Sequence, residues 1–172
     1  MPDWDEDSPA LRENLKRLLR AMRNSAQQRN ALTLATARAW HVAMMRGLVT
    51  PNEKWIGRFR GERGLSGFEV EVGSLEGVPP RALARELSRF EQRLARAIAR
   101  LDALLPASTA LDADCLAAVI DLAAWVHAEW VRLHPFANGN GRTARLWANA
   151  IAMRYGLPPF VRLRPRPNLG YA

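Results

Sequence analysis

The chain has 172 residues, of which 48% are hydrophobic and 24% are charged, and its formal net charge is +8. This composition excludes a disordered or fibrous protein, and the length fits one domain that buries a core without disulfides or metals. No apolar run is long enough to span a bilayer, and the acidic residues within 3–7 are unlike a signal peptide. Because the chain also has a single cysteine, the sequence predicts a cytoplasmic protein that does not enter a membrane.

The positive charge comes almost entirely from arginines, which are spread along predicted helical segments such as 81–100. No nucleic-acid-binding motif accompanies them, and aromatic and basic residues do not alternate in strand-like segments. Arginines scattered on helices also pair with acids and keep a protein in solution. We therefore do not expect nucleic acid as a partner.

The first part of the chain predicts two helices. Ser8 suits an N-cap and Pro9 suits the first helical position, and leucines then recur at helical spacing to about residue 24. A second helix is predicted over 30–46, because Gly47 is typical of a residue that closes a helix.

The glycine-rich segment 57–80 differs from the rest of the chain. Within it, apolar and charged side chains alternate with the two-residue period of a strand in Phe68, Glu69, Val70, Glu71 and Val72. This pattern predicts a short β-hairpin on an otherwise helical body.

Three more helices are predicted after this segment, over 81–105, 112–133 and 141–155. The arginines and prolines of 161–166 predict an extended tail. The pattern as a whole indicates a mainly α protein, a single domain over residues 1–172 with one small hairpin.

The segment between the last two predicted helices concentrates groups that can do chemistry. Pro135 disfavours helical geometry for the residue before it, so His134 is predicted to leave the helix end and face a cleft. Gly139 and Gly141 permit tight turns. The amides around them form the N-terminus of the last helix, which attracts anions through its N–H groups and its dipole.

Arg142 and Arg145 are three residues apart at the start of that helix and therefore share a face. Their forked guanidinium groups can both reach phosphate oxygens. An ordinary turn between helices also uses asparagine and glycine, but it needs no histidine at its entry and no pair of arginines at its exit. The loop therefore predicts a site for a nucleotide triphosphate beside a base.

Residues 134–145, HPFANGNGRTAR, resemble the signature of the Fic family, His-x-Phe-x-(Asp/Glu)-Gly-Asn-(Gly/Lys)-Arg-x-x-Arg, at every fixed position except one. The resemblance extends more loosely to the flanking helices. Phe59-Arg60-Gly61, with the alternating stretch 68–72, is similar to the family's flap region. The resemblance implies a Fic-like helical domain that transfers AMP from ATP to a Ser, Thr or Tyr hydroxyl of a target protein.

Two alternatives remain open at this point. Relatives transfer other groups at the same site, including UMP, phosphocholine and phosphate. The second alternative is a degraded module that binds nucleotide without transferring anything.

The resemblance also implies a role for each matching residue. His134 would be the general base that takes the hydroxyl proton, since an imidazole titrates near neutral pH. Phe136 would anchor the loop in the core. The phosphates would be held by Gly139, Asn140, Gly141, Arg142 and Arg145. The two arginines would stabilise charge on the leaving pyrophosphate.

Asn138 is the departure from the family pattern, which has Asp or Glu at this position to hold Mg²⁺ against the phosphates. An amide oxygen can ligate magnesium but brings no negative charge. We therefore expect a weakened metal site, in which the nucleotide and water supply most of the ligands.

The flap residues 68–72 are implied to dock the target by accepting it as an added strand. The alternative is a hairpin that only stabilises the fold. Inhibition in the family comes from a helix with the pattern (Ser/Thr)-x-x-x-Glu-(Gly/Asn), or from a separate antitoxin-like protein in toxin–antitoxin members.

Glu13-Asn14, in the predicted helix over 8–24, is the nearest match to the inhibitory pattern, although Ser8 is one residue too distant. Under that hypothesis Glu13 pairs with Arg145. The alternative is an ordinary helical pair with Lys16 or Arg17, three and four residues further on.

The other two histidines are predicted to be structural. His127 has no cysteine or carboxylate at metal-binding spacing, so we interpret it as a helix residue beside Trp130. His41 follows Trp40 in an apolar helix and is interpreted as a packed core histidine.

Overall fold

The structure is a computed structural model, and it describes residues 8–72, 75–107 and 110–160. Within these residues the chain forms five α-helices: α1 (Pro9–Gln27), α2 (Leu34–Met45), α3 (Pro80–Leu104), α4 (Ala113–Leu133) and α5 (Asn140–Arg154). No helix in the described ranges is long and apolar enough to cross a membrane. The tail predicted over 161–166 lies outside the described residues.

Polar caps determine where α1 and α2 begin. At α1, the Ser8 hydroxyl accepts the N–H of Leu11 at 3.0 Å, as predicted. The second helix begins at Leu34 and not at residue 30, because Thr33 and Thr36 form a reciprocal capping box there. The predicted helices after residue 80 are confirmed to within one residue at each end.

Helix α5 lies at the centre of the molecule and packs against α1, α2 and α4. All of its residues except Gly141 are buried, including three arginines. A helix that is buried on every side must satisfy its polar groups within the protein. The loop that leads into α5 is therefore fixed by the core and not by a surface element.

Aromatic rings join the helices around α5. The ring centroid of Trp147, on α5, lies 4.9 Å from Trp40 of α2, 5.5 Å from Trp130 of α4 and 5.6 Å from Phe90 of α3. Edge and tilted ring pairs at these distances stabilise a core beyond the area they bury. These three tryptophans are buried core residues.

The sheet consists of β1 (Glu71–Val72) and β2 (Leu75–Glu76), which pair antiparallel. The first residue of β1 lies opposite the last residue of β2. Two residue pairs form a short ladder, and a ladder of this length has little stability of its own.

The predicted strand over 68–72 is therefore largely wrong, and the β-hairpin flap is not supported. Phe68, Glu69 and Val70 lie outside any strand. The Val70 carbonyl still accepts the Gly77 N–H at 2.9 Å, next to the ladder, but the carbonyl of Phe68 accepts the Arg60 guanidinium at 3.1 Å. Alternation alone could not reveal this, because it reports which side chains share a face and not where the backbone bonds.

Candidate active site

His134 follows directly after the last residue of α4. Its backbone has φ 47° and ψ 55°, the left-handed conformation, and its N–H donates to the carbonyl of Trp130 at 3.0 Å. The prediction that this residue leaves the helix is confirmed. A residue before proline is usually extended. His134 is left-handed instead, because this conformation keeps the hydrogen bond that closes the end of α4.

The half-buried His134 side chain has a defined orientation. Nδ1 lies 3.2 Å from the carbonyl oxygen of Val131. Because a carbonyl can only accept, this contact assigns the proton to Nδ1 and the lone pair to Nε2. An imidazole in this tautomer can act as a general base through Nε2.

Asn140 closes the loop with its side chain. The amide oxygen accepts the N–H of Phe136 at 2.8 Å, and the amide nitrogen donates to the Phe136 carbonyl at 2.7 Å. The Phe136 ring is fully buried, with its centroid 5.0 Å from Phe59 and 6.0 Å from Trp130. The Asn140 side chain is thus used to hold the loop, and only its backbone amide is left for the predicted phosphate contact.

The N-terminus of α5 has the character of an anion site. Its N-cap residue, Gly139, has φ 79°, and no side chain caps the helix. This positive φ favours glycine, and a Cβ here would also lie 2.9 Å from Cε of Met45 and 3.0 Å from Cε of Met44. No side-chain cap therefore competes with an anion for the first-turn amides of α5, and the helix dipole favours negative charge there.

The two signature arginines are buried beside this turn. Arg142 is 8% exposed and Arg145 is 9% exposed. A Cβ placed on Gly141 would lie 3.6 Å from Nη1 of Arg145, so that guanidinium lies close to the first turn of α5. Burial and the charge of Arg145 lower the pKa of His127 on α4. The two arginines thus lie beside the glycine turn at the N-terminus of α5, and His134 lies at the start of the loop that leads into it.

Asn138, the predicted metal position, is bonded to protein groups on both sides. Its side-chain oxygen accepts Nη2 of Arg142 at 2.8 Å. Within the described part of the chain, no three His, Cys, Asp or Glu residues are grouped so that they could hold a metal ion. The Asn138 side chain does not fit a magnesium ion held by the protein itself, because its amide oxygen is neutral and already accepts a hydrogen bond from the cationic Arg142.

His41 belongs to the site, although sequence reasoning placed it only in the core. It is fully buried on α2, and its ring stacks on Phe136 with centroids 4.0 Å apart. The Gly57 N–H donates to Nδ1 at 3.0 Å, so the proton is on Nε2, which donates to the Asn138 carbonyl at 3.0 Å. Burial lowers the pKa of His41 to about 4, which keeps the ring neutral.

Arg60 is the second residue whose role was missed. Its side chain is 2% exposed and contacts the backbone of His134. The only signal in the sequence was its place in Phe59-Arg60-Gly61, which indicated a flap region and gave no role to the arginine.

Glu13, the predicted inhibitory residue, lies on the exposed side of α1. The next residue, Asn14, is buried and donates to the carbonyls of Met44 at 3.0 Å and Arg46 at 2.8 Å. Within the described residues no ion pair joins Glu13 to Arg145. Helix α1 does pack against α5, the helix that carries Arg145.

Comparison with known proteins identifies the family of this site. The Fic/DOC family model matches residues 31–152, which include the loop and most of the helical core. A Fic domain containing signaling protein from Bacteroides thetaiotaomicron VPI-5482 superposes with a TM-score of 0.65 and 22% identity, over 92% of this chain and 54% of that one. This likeness shows a shared, mainly helical fold.

Matches to curated relatives are short. Protein adenylyltransferase Fic of Nematostella vectensis is 57% identical over 42 residues, which is 24% of this chain and 10% of that protein. Protein adenylyltransferase fic-1 of Caenorhabditis elegans is 55% identical over 42 residues, or 24% of this chain and 8% of that protein. The matched stretches thus cover about a tenth of the relatives' own length.

Proposed function

The chain belongs to the Fic/DOC family, and from that premise we propose that it is a protein adenylyltransferase, which moves AMP from ATP to a hydroxyl of a target protein. The observation that carries the proposal is one arrangement. The imidazole of His134, with its lone pair on Nε2, begins a short loop. This loop leads directly into the N-terminus of α5, which has no side-chain cap and carries two buried arginines. The curated relatives matched above carry the name adenylyltransferase.

In the proposed reaction, His134 Nε2 takes the proton from a Ser, Thr or Tyr hydroxyl of the target. The hydroxyl oxygen forms a bond to the α-phosphorus of ATP, and the bond from that phosphorus to the bridging oxygen breaks. Pyrophosphate leaves with the bonding electrons. The α5 amides, Arg142 and Arg145 stabilise the charge that develops on it.

ATP is the substrate in this proposal, and Mg²⁺ accompanies it. Because Asn138 is neutral and bonded to Arg142, the protein contributes little to holding that metal. The same observation favours two other candidates. One is a transferase of UMP, phosphocholine or phosphate, and the other is a module that only binds nucleotide. We rank these below adenylylation because the loop keeps the signature histidine and both signature arginines.

We propose that the target docks along residues 68–72 by its backbone. Phe68 and Val70 already use their carbonyls within the protein, for Arg60 Nη1 and for the Gly77 N–H at 2.9 Å. The edge left for a target is therefore shorter than the sequence predicted, and the target must be held partly by other surfaces.

We also propose that Glu13 restrains the enzyme by reaching Arg145 in an alternative arrangement of α1, or that an antitoxin-like protein supplies the equivalent carboxylate. Replacing Glu13 with glycine would raise label transfer if the glutamate inhibits. Lys16→Gly, also on the exposed side of α1, controls for loss of helix stability. Equal transfer by the native chain and both variants would exclude inhibition by Glu13 and leave either a partner or an unrestrained enzyme.

Two labelled forms of ATP test the proposed reaction in a host-cell lysate. Transfer of AMP moves the α-phosphorus label to protein and leaves the γ label in pyrophosphate. Transfer of phosphate moves the γ label to protein and leaves the α label in ADP. Label from the γ position, or from neither position despite ATP binding, would overturn adenylylation.

A further inference from the structure

Arg60 is a buried cation whose side-chain bonds described here all go to backbone carbonyls. Its Nε donates to His134 O at 2.7 Å, and its Nη1 donates to Phe68 O at 3.1 Å. Its Nη2 donates both to Val78 O and to Leu133 O at 3.0 Å. Burial lowers the pKa of this guanidinium and the exposed Glu69 raises it, but an arginine remains charged under these conditions.

These acceptors come from three separate parts of the chain. Phe68 and Val78 belong to the two limbs of the glycine-rich segment, 68–72 and 75–78, whereas Leu133 and His134 end α4. The backbone N–H of Arg60 adds a bond to Pro135 O at 2.7 Å. One residue therefore holds both limbs of the segment and the backbone of the base.

The surrounding packing leaves little room for these limbs to shift. Gly61, with φ 88°, is so close to α3 that a Cβ would lie 2.5 Å from the carbonyl oxygen of Pro80. A Cβ on Gly77 would lie 2.6 Å from Cγ2 of Val70. The two limbs are thus packed against each other at Val70 and Gly77, and the residue after Arg60 is packed against α3.

Hydrogen bonds from Arg60 and to Trp130 fix the backbone position of His134. Its N–H is held by Trp130 O, and its carbonyl is held by Arg60. Burying a guanidinium has a desolvation cost of several kcal/mol, which an apolar residue would avoid. What an apolar residue could not do is donate hydrogen bonds to four carbonyls from three segments, as the forked guanidinium does here.

We propose that Arg60 is a positioning residue that holds the limbs 68–72 and 75–78 in a fixed relation to His134, so that a hydroxyl docked on the limbs reaches the base. The role in transfer rests on the proposed function. The mechanical link between the limbs and His134 does not.

Two variants test this link in the full chain. Arg60→Lys keeps the charge but has a single nitrogen, which cannot reach four carbonyls, and Arg60→Gln keeps two donors without the charge. Arg63→Lys is the matched control, since Arg63 lies on the same segment and is exposed. The measurements are hydrogen exchange by mass spectrometry, ATP binding by calorimetry, and transfer from α-³²P-ATP.

In Arg60→Lys we expect amides of the two limbs to exchange about tenfold faster or more, while α5 amides exchange as in the native chain. The Kd for ATP should stay within about twofold, and the transfer rate should fall about tenfold or more. Arg60→Gln should show the same pattern more strongly, and Arg63→Lys should match the native chain. A rate that falls while ATP binding is kept separates positioning from general loss of structure.

Three results would overturn the proposal: unchanged limb exchange, exchange that rises equally in α5, or transfer that falls only as far as ATP binding falls. If the proposed function is wrong, the result is different, because the native chain itself then transfers no label. In that case limb exchange still decides whether Arg60 holds the segment. Faster limb exchange with unchanged α5 supports the link, and unchanged exchange overturns it.

Discussion

His41 Nε2 and the Asn138 carbonyl oxygen lie 3.0 Å apart, although 97 residues separate them in the sequence. The bond joins α2 to the loop that the signature arginines follow. The opposite ring nitrogen accepts the N–H of Gly57, so both nitrogens of a fully buried imidazole are used. The loop is therefore held by a neutral histidine that takes no part in proton transfer.

Stability should depend on pH through His41. Burial lowers its pKa to about 4 in the folded chain from 6.5, so the unfolded chain binds the proton more tightly. The contribution is fully present above pH about 6.5 and is lost as pH falls towards 4, by about 3 kcal/mol in total. Urea unfolding of the native chain and of His41→Gln over this range measures it. The same pH slope in both chains would contradict this assignment.

Asn138→Asp should make nucleotide binding more dependent on magnesium. The substitution places a carboxylate where the structure has a neutral oxygen bonded to Arg142 at 2.8 Å. We expect the native chain to bind ATP with a Kd that changes less than about threefold when Mg²⁺ is removed, and the variant to lose about tenfold or more. Calorimetry with and without EDTA checks both values. A native chain as sensitive to EDTA as the variant would show that the asparagine holds the metal well.

Asn140→Ala should destabilise the loop. The variant removes two hydrogen bonds to the backbone of the buried Phe136, one to its N–H at 2.8 Å and one to its carbonyl at 2.7 Å. Such losses cost about 1–3 kcal/mol each, and ATP binding should weaken with them. Asn24→Ala, an exposed residue on α1, is the control. An unfolding free energy equal to that of the control would mean that the loop is held elsewhere.

Asp102→Asn should lower stability and leave ATP binding unchanged. Asp102 accepts Arg154 Nη2 at 2.5 Å and Tyr155 Oη at 3.0 Å, away from the signature loop. Partial burial raises the pKa of Asp102, but the bonds from Arg154 and Tyr155 outweigh it, so the net direction is down. Its contribution is therefore present above pH about 4 and lost below it. For a partly exposed pair we expect a loss of about 1–3 kcal/mol. A parallel loss of ATP affinity would contradict the separation of the two regions.

The helices and the loop could be predicted because their signals are local. Ser8, Pro135 and Gly139 act on their own neighbours, so the ends of α1 and α4 and the turn before α5 follow from short stretches of sequence. The start of α2 was missed because its signal is the reciprocal capping box between Thr33 and Thr36, which the sequence reading did not use.

The roles of His41 and Arg60 could not be predicted in the same way. Each acts on backbone atoms at least 70 residues away, at Asn138 and at Leu133 and His134. Nothing near residue 41 or residue 60 marks these partners, since only the fold brings them together. The strand over 68–72 failed for another reason: alternation reports which side chains share a face, but the Phe68 carbonyl bonds to the Arg60 guanidinium and not to a second strand.

The most direct test of the central claim compares the native chain with His134→Ala in α-³²P-ATP labelling, with ATP binding measured for both. If His134 is the base, both chains bind ATP with similar Kd, and label transfer to protein disappears only in His134→Ala. Transfer that persists in His134→Ala, or a native chain that binds ATP and transfers nothing, would contradict the account of this loop as an adenylyltransferase site.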